Sequence, residues 1–158
     1  MMDETDLRIV ALLQENARVA NAELARRLGM APSAVLERVR KLEERGVILG
    51  YAARVSPEAL GLGLTAFVFV RASERAGAVN TSRALAGLEE VQEVHHVAGE
   101  DCFLVKVRVA SARALSALLS DRFGAIDTIV STRTTIVMDT VKETASLPVP
   151  VPSEAARG

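Results

Sequence analysis

An α+β fold in two parts is what this sequence of 158 residues predicts. Apolar residues recur with helical spacing up to about residue 46 and with strand spacing from residue 64 onward. Between these halves "PEALGLG" supplies Pro57, Gly61 and Gly63, the punctuation of a connecting segment. The expected layout is a helical domain over 1–56, a mixed domain over 62–143 and a flexible tail over 144–158.

The first half divides into three helices. "DETDLRIVALLQEN" offers Asp3 as N-cap, acids in the first turn, and either Leu7, Val10 and Leu13 or Ile9 and Leu13 as the inward stripe. "NAELARRLG" has Asn21 as its expected cap, Leu24 and Leu28 inward, and Gly29 as a left-handed terminator. "APSAVLERVRKLEERG" places Pro32 in the first turn, Val35, Val39 and Leu42 inward, and Gly46 at the stop. Residues 47 to 56, "VILGYAARVS", read as a short hairpin about Gly50, because Val47, Ile48 and Tyr51 favour strands.

The second half runs "LTAFVFVRA" (strand), "AVNTSRALAGL" (helix), "VQEVHHVA" and "CFLVKVRVA" (strands), "SARALSALLSDRF" (helix) and "IDTIVSTRTTIVMDTV" (strand). That order, β-α-β-β-α-β, is the split pattern of a ferredoxin-like domain, an antiparallel sheet with two helices on one face. In its first strand Phe67 and Phe69 point one way and Ala66, Val68 and Val70 the other, so both faces are apolar. The helices cover only one, and a second copy is the simplest cover for the other, which predicts a dimer through open sheet faces. The tail "SLPVPVPSEAARG" alternates Pro with small residues and is expected to be extended and mostly disordered.

Composition excludes several classes. A single cysteine makes no intramolecular disulfide framework. With no basic-then-apolar leader, it points to the cytoplasm. The longest apolar run, "TAFVFV", is too short to span a bilayer. Net charge is −1, but residues 18 to 54 hold eight Arg or Lys against four Glu, an excess of 8 − 4 = 4 that a dimer would double.

A second helix, a short turn with glycine and a third helix form a helix-turn-helix arrangement, and the expected hairpin would be a wing-like addition. With Val35, Val39 and Leu42 inward, the outward side of helix three carries Ser33, Ala34, Glu37, Arg38 and Lys41, with Arg40 at its edge. Ser33 and Ala34 would enter a groove closely, and Arg38 and Lys41 would reach base edges or phosphate. Arg26, Arg27 and Arg54 are the candidate phosphate contacts. Pattern alone leaves an inert or protein-binding helical module open as the other reading, since Glu37, Glu43 and Glu44 can pair with these cations along the helix.

The rare reactive residues gather in "HHVAGEDCFLVKV", residues 95 to 107. His95 and His96 are strand neighbours that point to opposite faces, so they do not converge on one ion. Cys102 begins a strand rather than a helix, and no third group is placed to orient a histidine. No metal, no cofactor and no enzymatic activity are therefore expected. "AGED" reads as the turn between two strands, with Gly99 free to take a positive φ.

The stretch "ELARRLGMAPSAVLERVRKLEERGVILGYAARVSPEALG", the leading "DETDLRIVALLQENAR", "V-A-G-E-D-C-F-L-V-K-V" and the closing "T-R-T-T-I-V" together resemble the Lrp/AsnC family of leucine-responsive and asparagine-responsive regulators, over about residues 2–143. That resemblance implies a transcription regulator that binds double-stranded DNA, dimerises through its sheets and assembles further to tetramers or octamers. It also implies that an amino acid or related small-molecule effector is sensed at the contact between dimers. The family's effector hairpin matches Gly99, Glu100, Asp101 and Cys102 here, and Thr132 and Thr134, on one face of the last strand, are the next candidates for the pocket wall. Their alternative role is ordinary cross-strand pairing. Many relatives carry Gly-x-x-Asp, whereas this chain has Cys102 fourth and its acid one place earlier, at Asp101. The competing function is a small-molecule-binding oligomeric protein without effective DNA binding.

Overall fold

A computed structural model of the chain describes residues 2–74 and 78–150. The chain forms two compact units, Met1–Ala53 together with Glu143–Gly158, and Arg54–Lys142.

The first unit holds helices α1 (Glu4–Glu15), α2 (Asn21–Leu28) and α3 (Pro32–Glu44). Asp3 caps α1 reciprocally: its carboxylate accepts the Asp6 N–H at 2.8 Å, and the Asp6 carboxylate accepts the Asp3 N–H at 3.3 Å. Ile9, Leu24, Ala25, Val35, Val39 and Leu42 form the core, with Ile9 the buried centre of α1 and Val10, Leu12 and Leu13 packed partly buried beside it. Asn21 is not the cap of α2. Ala20 holds the extended N-cap backbone, and Asn21 already lies inside the first turn, where its side chain makes no capping bond. Gly29 (φ 64) ends α2 in the left-handed conformation, and the Met30 N–H returns to the Ala25 carbonyl at 2.9 Å.

The hairpin expected over 47–56 is absent: no strand forms there. The Val47 and Ile48 N–H groups both donate to the Leu42 carbonyl, at 2.9 and 3.1 Å. They close the end of α3 instead of starting a ladder, and their side chains pack on the helical core. Residues 144–150 carry no regular element, yet Leu147 is tied to α1. Gln14 donates to the Leu147 carbonyl at 2.9 Å and accepts its N–H at 2.8 Å. The remainder of the expected flexible tail, 151–158, lies outside the described residues.

The second unit contains β1 (Leu64–Ala72), α4 (Asn80–Ala86), β2 (Val91–His96), β3 (Phe103–Val109), α5 (Ala112–Ala117) and β4 (Ile129–Ile136). Its antiparallel sheet has the order β2-β3-β1-β4, the predicted ferredoxin-like topology. Ala66, Val68 and Val70 of β1 are fully buried with Val105, Val107, Leu85, Leu115, Leu118 and Phe123. The helix expected over 111–123 is α-helical only to Ala117 and widens into a π-helical turn, Leu118–Phe123. The last strand is shorter than the sequence suggested. The Val137 N–H makes its final rung, to Thr65, and Met138 and Val141 beyond it are almost fully exposed.

Phe67 and Phe69 lie on the sheet face opposite the buried Ala66, Val68 and Val70, and both are half-buried. The register places Phe67 beside Lys106 and Thr135, and Phe69 beside Leu104 and Arg133.

Candidate DNA-reading helix and effector corner

Burial of Val35, Val39 and Leu42 turns a defined side of α3 outward. Ser33, Ala34, Glu37, Arg40 and Lys41 are exposed there, and Arg38 is half-buried. Leu36 is 55% exposed on the same helix. The core spacing leaves it out of the stripe, a signal that could have singled it out from the sequence.

Each of the five Arg and Lys side chains on α2 and α3 has a carboxylate partner. Glu23 accepts the Arg26 fork at 2.8 and 2.7 Å and the Arg27 Nε–H at 2.8 Å. Glu37 accepts from Arg40 at 2.9 and 3.2 Å and lies 3.5 Å from the Lys41 ammonium, while Glu44 pairs with Arg40 as well. These contacts lie three or four residues apart on one helix face, the spacing at which side chains meet. Hydrogen bonds from Arg26 and Arg27 hold the Glu23 carboxyl down at about 2, and Arg40 lowers that of Glu37.

Arg38 differs because its partners lie on another helix. One guanidinium nitrogen donates to Asp3 and to Asp6, both at 2.7 Å, so it joins the middle of α3 to the N-terminal cap of α1. The Asp6 N–H first and Arg38 second lower the Asp3 carboxyl. Arg54 is exposed and belongs to the second unit's span.

In the second unit, β2 and β3 meet at the corner containing Gly99, whose φ is 135°. The Val97 N–H donates to the Cys102 carbonyl at 3.0 Å, and the Cys102 N–H to Val70 at 2.8 Å, which closes the corner against β1. The Cys102 sulfur lies 3.5 Å from both the nitrogen and the carbonyl oxygen of Ala72. Glu100 is exposed. Asp101 turns toward β4 and accepts from Arg133 at 2.9 Å. The Arg133 guanidinium in turn sits over the Phe69 ring, 4.0 Å from its centroid.

Arg133 is the corner residue that sequence reasoning missed. Strand parity sets it on the face opposite Thr132 and Thr134, which pair with Val70 and Val68 and share their side of the sheet. The structure thus joins Asp101, Arg133 and Phe69 and leaves the two threonines across the sheet from them. Parity also separates the histidines. His95 lies 3.0 Å from Glu93, which Lys106 joins at 3.2 Å, whereas the His96 ring packs 5.3 Å from that of Phe103. Among the described residues no three His, Cys, Asp or Glu side chains are grouped to hold a metal ion, and no helix is long and apolar enough to cross a membrane.

Comparison with known proteins gives two family matches, a winged helix-turn-helix DNA-binding model over residues 2–48 and the Lrp/AsnC ligand binding domain over residues 65–147. The HTH-type transcriptional regulator LrpA of Mycobacterium tuberculosis is 42% identical over 139 residues, spanning 88% of this chain and 91% of the relative. The leucine-responsive regulatory protein of Escherichia coli is 37% identical over 148 residues, 92% of this chain and 90% of the relative. Among solved structures, a Neisseria meningitidis transcriptional regulator in complex with L-methionine superposes with a TM-score of 0.89 at 31% identity, covering 95% of this chain and 98% of that one.

Proposed function

Because the chain belongs to the Lrp/AsnC family, we propose a specific division of labour within this DNA-binding transcription regulator. Helix α3 reads double-stranded DNA, and an amino acid or related metabolite bound at the Gly99–Cys102 corner adjusts assembly or DNA affinity. The family is one of regulators rather than enzymes, so the corner is a place to bind a ligand and not to transform it.

For DNA, the reading side is Ser33, Ala34, Glu37 and Lys41, with Leu36 available to a thymine methyl. Arg26, Arg27, Arg40 and Arg54 serve the phosphates. Arg38, engaged by Asp3 and Asp6, holds α3 in place instead of touching DNA. A cytoplasmic location goes with this reading.

For the effector, the observation that carries the reading is the Asp101–Arg133 pair at the corner. An α-amino acid is a zwitterion whose ammonium and carboxylate match a carboxylate and a guanidinium set side by side. The L-methionine complex of the Neisseria regulator makes that amino acid the first to try. The half-buried Phe67 and Phe69 support a homodimer closed through the open sheet faces, from which tetramers or octamers assemble.

The test is a titration of the full chain with each of the twenty amino acids, beginning with L-methionine. Thermal stability, particle size by light scattering and affinity for the gene's own upstream DNA are read together. A ligand that raises the melting temperature and shifts size or DNA affinity supports the proposal. If none of the twenty moves any readout, amino-acid sensing is wrong and DNA reading stands alone.

A further inference from the structure

Helix α2 places two guanidinium groups at the surface, and one side chain on the same helix occupies both. Arg26 is 73% exposed and Arg27 49% exposed, so solvent and any docking polyanion reach them. Glu23, one helical turn earlier, accepts the Arg26 fork through both carboxylate oxygens and takes the Arg27 Nε–H as a third donor. A carboxylate gripping an arginine fork with two oxygens uses the geometry a DNA phosphate uses. In a helix-turn-helix unit the helix ahead of the reading helix crosses the DNA backbone, so these two arginines are the ones phosphates would claim.

We infer that Glu23 is a built-in competitor for DNA phosphates, which holds Arg26 and Arg27 in docking geometry and weakens the hold on non-cognate duplex. To take the Nε side of either guanidinium, phosphate must displace the carboxylate, which holds Nε and one terminal nitrogen of Arg26 and the Nε of Arg27. A duplex that offers only phosphates meets that opposition in full, while a cognate site adds base contacts from α3 that offset it. Glu23 thereby sharpens selectivity without touching a base. Glu37 makes a similar two-cation hub with Arg40 and Lys41, but it lies on the reading side of α3, where its own contacts with bases would confuse the outcome. The inference rests on the proposed phosphate role of Arg26 and Arg27, and the experiment tests that role separately.

The experiment uses the full chain and a random-sequence duplex of about 30 base pairs, with binding measured by fluorescence anisotropy from about 50 to about 200 mM salt. Each additional phosphate neutralised steepens the log–log salt slope by about 0.9, which is about three- to four-fold in affinity across that range. Glu23→Gln is expected to tighten non-specific binding, steepen the slope by the equivalent of about one to two phosphates, and narrow the ratio of cognate to non-cognate affinity. In an Arg26→Ala/Arg27→Ala background the same change is expected to do nothing. Circular dichroism checks that the helices persist, and Glu23→Ala stands in if the glutamine variant does not fold. Unchanged or weaker binding by a folded Glu23→Gln protein overturns the inference. So does equal tightening in the double-alanine background, which would mean simple charge repulsion. If the double-alanine variant by itself binds DNA with an unaltered salt slope, the phosphate role of α2 fails and the inference falls with it.

Discussion

Replacing Arg38 by Met separates a structural clamp from a DNA contact. Arg38 is 33% exposed and reaches Asp3, which is 54% exposed, and Asp6, which is 11% exposed. The Asp3 contact is largely solvated and contributes little. Asp6 is the costly partner. Methionine keeps the apolar stem but leaves a mostly buried carboxylate short of one charged donor, while the Asp3 N–H still serves it. Loss of a charged hydrogen bond in such a half-sheltered site costs about 1–2 kcal/mol. The helical unit over Met1–Ala53 has a total stability of about 3–8 kcal/mol at the usual per-residue value. The variant therefore remains folded at room temperature, with a clearly lower denaturation midpoint for that unit. Urea unfolding followed by circular dichroism measures the midpoint, and salt-dependent anisotropy on duplex DNA measures the contact. A clamp predicts a shifted midpoint and an unchanged salt slope, whereas a phosphate contact predicts a slope shallower by about one. An unchanged midpoint with a shallower slope would refute the clamp.

Three more perturbations have defined outcomes. In Gly124→Ala a Cβ would collide with the Ser120 carbonyl oxygen, because the π-helical turn brings that carbonyl alongside; the second unit should lose about 1–3 kcal/mol, read by thermal unfolding, and an unaltered melting temperature would contradict the widened turn. Arg133→Met removes the partner of Asp101, so affinity for whichever amino acid the titration identifies, measured by calorimetry, should fall about tenfold while stability changes by less than about 1 kcal/mol, and full retention of affinity would remove Arg133 from the proposed site. Glu23 titrates at about 2 in the folded chain against an ordinary 4.5; its pairing therefore stabilises α2 above pH 4.5, and that contribution is lost as pH falls from 4.5 to about 2. Acid titrations of the parent and of Glu23→Gln should converge over that window, and parallel curves would show the pair to be energetically silent.

Which of these features the sequence disclosed depends on how far apart the interacting residues are. Strand β1 and its alternation of Phe67 and Phe69 against Ala66, Val68 and Val70 are readable because a period of two is a local property, but which of the two apolar faces the helices cover is not. The core stripe of α3 was readable for the same reason, at a period of about 3.6. The Glu23 and Glu37 hubs were accessible in principle, since their partners lie three and four residues on. Arg38 was not: its acids lie 32 and 35 residues away, and only the packing of α1 on α3 brings them within reach. Arg133 met the same obstacle, with Asp101 32 residues off and Phe69 on a neighbouring strand. The hairpin about Gly50 failed in a different way. Val47 and Ile48 have strand-forming side chains, but their backbone donors were already committed to the end of α3, and propensity yields to a satisfied hydrogen bond.

That distinction bears on how a chain of net charge −1 holds DNA at all. A local excess of four positive charges between residues 18 and 54 looks like a free basic patch when only charges are counted. The ion pairs say otherwise, since each cation of α2 and α3 begins with a carboxylate attached. On the proposed phosphate roles of Arg26, Arg27 and Arg40, binding is then an exchange of carboxylate for phosphate. In an exchange of that kind the decision passes to contacts phosphates cannot supply, those proposed for Ser33, Ala34, Leu36 and Lys41 with base edges. It passes equally to the number of reading helices an assembly presents, since each added helix multiplies a small surplus per site. If the proposed assembly holds, a ligand that changes it changes DNA affinity steeply without altering one contact on α3.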